Sequence, residues 1–316
     1  MMKFLALGKS FIAASFGFFL IFSCSSAPQR AMMVTEKTDL AYSRLDEANR
    51  SIIREDYDRA FSLLTDSYML ALAVDNVEVM CKTALSGIIF KIACPDYKID
   101  LSDPASERSF LIDSKERILA GARKLTVRSN ENEKNLLVCL CDVYETRILF
   151  ENDKNSHEGK ISKENAELYL KKLDSAKSIV SKEPYYYAYL FRTKGDIGMA
   201  ASLYDLAKSN YEEASKIHLS NRYLIEIGMD WYCVARACSL GGKKKEAVSA
   251  IQNAIKYDKD AENTIGIALD YKAYSKILMR GNPTEEEMLL AADLYEWGEK
   301  ILNTARQPRS SQLIFN

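Results

Sequence analysis

The stretch from Trp231 to Asp258 constrains the fold more than any other part of the chain. Ala247, Ile251 and Ala254 stand at i, i+4 and i+7, which is one stripe of an α-helix, and two of the three are small. The segment before them carries Trp231, Val234, Ala235 and Cys238 at i, i+3, i+4 and i+7, a second helical stripe. Small side chains let two helix axes approach to roughly 8–10 Å. Leu240-Gly241-Gly242 supplies the turn between them, because glycine tolerates the positive φ that ends a helix. A tightly packed antiparallel helix pair is the expected product.

Trp231, Val234, Ala235, Leu240, Gly242, Ala247, Ile251, Ala254 and Asp258 fall at spacings that resemble a tetratricopeptide repeat, with Lys259 where proline is usual and Cys238 where an aromatic is usual. The resemblance implies an all-α fold, a TPR-like α-solenoid of antiparallel helix pairs with about a dozen helices. Its inner face would be built by the first helix of each pair. A second repeat is read at Tyr187, Ala188 and Phe191 on one helix, Gly195-Asp196 as the turn, and Ala200, Tyr204 and Ala207 on the next. Ala200 lies 47 residues before Ala247. In a rival register, Asn210-Tyr211-Glu212-Glu213-Ala214 opens the second helix and Ala214 lies 33 residues before Ala247. The first keeps strict helix alternation and is preferred.

Elsewhere, helices are expected over 38–54, from Asp56 through Leu72, and over 77–93, 109–125, 131–150, 162–181, 262–280 and 284–304. Polar loops are expected at 96–106 and 152–160. Only 13 glycines and 6 prolines punctuate 316 residues, which favours long helices over sheet. Residues 37–306 are read as one repeat domain and 307–316 as a flexible tail.

At the amino terminus, Lys3 and Lys9 precede an apolar run from Phe11 to Phe22. The run is too short for a membrane-spanning helix of roughly 20 residues and has the form of a secretory signal. Leu20-Ile21-Phe22-Ser23-Cys24 resembles a bacterial lipobox, with Phe22 where a small residue is usual. That resemblance implies a signal peptide over 1–23, acylation of Cys24, and a tether over 24–36. Anchored by acyl chains on Cys24 to the bacterial cell membrane or outer membrane, the domain would lie in the periplasm.

The net charge of −1 offers no electrostatic footprint for nucleic acid. Cys81, Cys94, Cys139, Cys141, Cys233 and Cys238 read as small apolar fillers of helix interfaces. Two histidines, His157 and His218, bring no cluster with metal-ligand spacing, so neither a metal nor another cofactor is expected. No phosphate loop, zinc motif or nucleophile elbow is present, and an enzyme is not expected. Glu285-Glu286-Glu287 reads as a helix start and Lys243-Lys244-Lys245 as a solvated turn.

The 18 tyrosines are more informative, since Tyr185, Tyr186, Tyr187 and Tyr189 sit in one helix and cannot all face one core. Either they fill gaps between extended helices or some of them line a binding face. The candidate binding face is Tyr185, Tyr189, Asp230 and Tyr232. The repeat resemblance implies a scaffold that binds another envelope protein or peptide. A more distant resemblance, to the lipoprotein component of certain tripartite transport systems, implies instead an accessory protein that binds a solute, with an oligomer possible.

Overall fold

The structure, a computed structural model, describes residues 35–99, 102 and 109–306. Residues from Lys37 onward form a compact unit. The expected signal peptide, Cys24 and the expected tail over 307–316 lie outside the described residues, as does most of the expected tether.

Twelve α-helices and no strand occur among the described residues. They are α1 (Glu36–Ile53), α2 (Tyr57–Ala73), α3 (Val77–Ala93), α4 (Lys115–Thr126), α5 (Glu131–Ser156) and α6 (Lys163–Val180), followed by α7 (Pro184–Ala200), α8 (Tyr204–Ser220), α9 (Leu224–Leu240), α10 (Lys244–Asp260), α11 (Thr264–Leu278) and α12 (Glu285–Arg306). Helices adjacent in sequence pack on one another, giving an all-α, solenoid-like array. Side-chain caps start five of the first six helices: Asp56, Asn76, Ser114, Asn130 and Ser162 each accept a backbone N–H of the first turn.

The repeat is more regular than the sequence suggests. Helices α7 to α10 are each 17 residues long and begin at 184, 204, 224 and 244, with α11 following at 264. A helix and its turn therefore occupy 20 residues and a pair occupies 40. Each turn is closed the same way. Ser202, Arg222, Gly242 and Glu262 take φ of 60°, 60°, 76° and 51°. The next N–H reaches back five residues, as in Leu203 to Gly198 (2.7 Å) and Lys243 to Cys238 (2.8 Å). This is the Schellman closure, and Glu55 and Asp75 make the same turn near the amino end.

Both sequence registers are corrected by this period. Ala207, 40 residues before Ala247, is its equivalent, and neither Ala200 nor Ala214 is. Ala207, Tyr211, Ala235, Ala247, Ile251 and Ala254 are buried in one cluster, with Trp231 half-buried against it. Ala200 is the last residue of α7 and Tyr204 the first of α8, so Ala200, Tyr204 and Ala207 do not form one stripe. Gly195-Asp196, expected as a turn, lies inside α7. The glycine is there for close packing. A Cβ on Gly195 would fall 2.5 Å from the Tyr211 ring, and one on Gly198 3.1 Å from the Ala207 backbone nitrogen.

Other boundaries move less. Helix α5 continues to Ser156 through the first part of the expected loop at 152–160, and a 3₁₀ turn, Phe110–Ile112, replaces the start of the helix expected at 109. The last two helices begin at 264 and 285, not 262 and 284. Cys81, Cys141 and Cys238 are buried and Cys94, Cys139 and Cys233 half-buried, and all six are free thiols. No helix among the described residues is long and apolar enough to cross a membrane.

Candidate functional site: a tyrosine- and arginine-lined cleft

Alternate helices turn one face toward a common cleft of about 370 Å³. Helix α1 contributes Asn49, Ile52 and Ile53; α3 contributes Ser86, Ile89, Ile92 and Ala93. Helix α5 adds Tyr144 and Arg147, α7 adds Tyr185, Tyr189, Arg192 and Asp196, and α9 adds Met229, Tyr232, Cys233 and Arg236. The sets on α7 and α9 follow helical spacing: 185, 189, 192 and 196 on one, 229, 232, 233 and 236 on the other. Glu55 and Tyr57, at the α1–α2 turn, complete the wall.

The aromatic part is rigid. Tyr144 is buried and stacks on Tyr189 with ring centres 4.8 Å apart, and Tyr185 meets Tyr186 and Tyr223 edge-on at 5.4 and 6.0 Å. Burial pushes the Tyr189 hydroxyl up to about 12. That hydroxyl is buried and has no hydrogen-bond partner, and neither has Nε of Arg147. Buried polar atoms in this state cost free energy, of order 1–3 kcal/mol each, unless something satisfies them.

The arginines are held from behind by carboxylates. Arg147 Nη1 lies 2.5 Å from Asp196 Oδ2 and Nη2 lies 2.7 Å from Glu151 Oε1. The Tyr211 hydroxyl donates to the other oxygen of Asp196 at 2.6 Å. Burial pushes the Asp196 carboxyl up, but Arg147 and the Tyr211 hydroxyl outweigh it and hold the group below its ordinary value. Arg192 Nε lies 3.4 Å from Asp230 Oδ1, and Asp230 Oδ2 is 2.6 Å from His218 Nδ1. Arg236 is exposed at the rim with its guanidinium 5.9 Å from the centre of the Tyr232 ring.

Three of the four residues expected at a binding face, Tyr185, Tyr189 and Tyr232, meet in this cleft. Asp230 does not join them. It is fully buried behind Arg192 and tied to His218, so it orients an arginine and presents no surface of its own. Reasoning from sequence missed Arg147, Arg192, Asp196 and Arg236. The signal was present: Arg192 and Asp196 continue the Tyr185–Tyr189 stripe, and Arg236 lies one turn beyond Tyr232. Among the described residues, no group of three or more His, Cys, Asp or Glu is placed to hold a metal ion.

No family model matches the chain, and no curated protein matches it.

Proposed function

We propose that this protein is a lipid-anchored binding protein of the bacterial cell envelope that holds a small organic molecule in the cleft, as an accessory component of solute uptake. One observation carries the reading. A cleft of about 370 Å³, within the size range of small-molecule sites, is walled by stacked tyrosines, by arginines fixed on carboxylates, and by two buried polar atoms that lack partners. Fixed arginines and rigid rings cost little ordering entropy when a ligand enters, which suits recognition.

The test is native mass spectrometry of the protein extracted gently from its own membrane, compared with Tyr189→Phe. The parent is expected to retain a small molecule. Tyr189→Phe removes only a hydroxyl that has no partner in the protein, so its melting temperature should hold or rise while its affinity for the retained molecule falls about tenfold, the equivalent of one neutral hydrogen bond. An unchanged affinity in the variant, measured by titrating the retained molecule back, would sink the reading.

A second reading, a scaffold for another envelope protein or peptide, is favoured by the last helix. Met288, Leu289, Leu290, Tyr295 and Trp297 of α12 are all exposed, Leu289 by 65 % and Trp297 by 54 %. A stoichiometric protein in the same native spectrum, with no small molecule, would favour it.

Anchoring rests on Cys24 in either case. Cys24→Ala is expected to move the protein from the membrane pellet to the soluble envelope fraction, and unchanged retention in the pellet would refute acylation there.

A further inference from the structure

Beside the cleft, and sharing Ile53, Glu55, Met229 and Tyr232 with its wall, lies a smaller chamber of about 100 Å³. Its inner end is formed by Asp258 of α10, Asn263 of the following turn, and Asp270 of α11, exposed by only 2 %, 3 % and 1 %. Asn263 Nδ2 donates to Asp258 Oδ1 at 3.0 Å. The Asp270 carboxyl shares a hydrogen bond with Asp258, and Asn263 Oδ1 remains buried with no hydrogen-bond partner.

The backbone makes room for this arrangement. A Cβ on Gly228 would fall 2.3 Å from Asp258 Oδ1, and one on Gly266 would fall 2.1 Å from Asp258 Oδ2. At the position 40 residues after Gly228 stands Ala268, so nothing in the repeat itself requires glycine at 228. Two glycines on two helices admit one buried carboxylate, and that carboxylate stands at the end of a chamber. Such a group is costly to bury without a compensating donor or cation.

The chamber's chemistry is therefore one-sided: an acceptor and negative charge at the inner end, Glu55 also in the lining, and apolar or aromatic walls from Ile53, Met229, Leu269 and Tyr232. A hydrated metal ion would gain nothing from those walls. An alkylammonium group would satisfy both parts, placing N–H donors on the acceptors and methylenes against the side walls, with its charge near an aromatic ring.

We infer that this chamber is an amine subsite, which takes the ammonium end of a ligand whose body lies in the adjoining cleft. The inference rests on the cleft being a ligand site and names the class of molecule it holds: a primary amine. Asp258 and Glu55 supply the countercharge. Asn263 Oδ1 supplies a further acceptor.

The experiment is calorimetric titration of the full-length protein in detergent with three probes of one size: n-butylamine, n-butanol and butyrate. Butylamine is expected to bind saturably and butanol not to bind at the same concentrations. Asp258→Asn should weaken butylamine by about tenfold or more. Glu55→Gln, at an exposed turn where folding is not at stake, should weaken it several-fold. Equal binding of butylamine and butanol would overturn the inference, as would butylamine binding that neither substitution changes. Binding of butyrate alone would overturn the amine subsite and leave the cleft standing as a ligand site. The Tyr189→Phe affinity test decides the cleft independently.

Discussion

Asp196→Ala is expected to destabilise the protein by about 2–3 kcal/mol, read from urea unfolding at neutral pH. The carboxylate is bonded to elements on either side of α7: Arg147 of α5 at 2.5 Å and the Tyr211 hydroxyl of α8 at 2.6 Å. Alanine leaves both partners in place and satisfies neither. Arg147 keeps Glu151 at 2.7 Å, which is why the loss falls below that for a buried charge left wholly unpaired. Asp196→Asn should lie between the two, since an amide oxygen still accepts from Tyr211 but carries no charge for Arg147. The difference is also expected to shrink in acid. Because Asp196 is held below its ordinary value in the folded protein, its contribution is full above the unfolded carboxyl range, about pH 4, and is lost as pH falls through the folded value. A difference that stays constant down to low pH would mean that Asp196 acts by packing alone.

The second large effect concerns Asp270 and runs in the opposite direction. Burial pushes Asp270 up to about 9 and Asp258 up to about 6, with Asp258 adding to the shift on Asp270. In the unfolded chain both groups lose their protons near pH 4. Between there and pH 9 the folded protein holds a proton on Asp270 that the unfolded chain has released, so stability falls as pH rises. The slope is up to about 1.4 kcal/mol per pH unit for each retained proton. The groups around the pair do not reverse the sign: Asn263 donates to Asp258, the protonated Asp270 shares a hydrogen bond with Asp258, and Glu55, which also lines the chamber, is acidic. Asp270→Asn imitates the protonated carboxyl at every pH. The variant is expected to match the parent near pH 4 and to exceed it increasingly toward pH 8, measured as the urea midpoint across that range. Parallel profiles for the two proteins would show that Asp270 ionises freely in the fold.

Asp196 also illustrates how a correct local observation can lead to the wrong structure. Gly195-Asp196 has the composition of a turn, and a turn there places Ala200, Tyr204 and Ala207 on the next helix. In the fold the glycine lets the Tyr211 ring lie against α7, and the aspartate receives that tyrosine's hydroxyl. The real turns escape notice for the converse reason. Of Ser202, Arg222, Gly242 and Glu262, all at positive φ, only Gly242 is the residue type expected there. The Trp231–Asp258 pair was legible because its turn carries that glycine, and the 40-residue period was hidden because its neighbours do not.

The sequence by itself determined the class of the fold and the faces of its best helices. Spacing at i, i+4 and i+7 is a property of a single helix, so Ala247, Ile251 and Ala254 declare a packing stripe wherever that helix goes. Tyr185 and Tyr189 were likewise marked, because one helix cannot bury so many adjacent tyrosines in one core. Only the tertiary structure decided what meets what. Arg147 reaches Asp196, Glu55 and Asp270 line one chamber, and Asp230 withdraws behind Arg192 to hold His218. These partners are far apart in sequence, or differ in which side of a helix looks inward. Their meeting depends on the rotation accumulated from one helix to the next around the array, which each turn's φ and each small residue at a contact adjusts and which no local pattern of residues encodes.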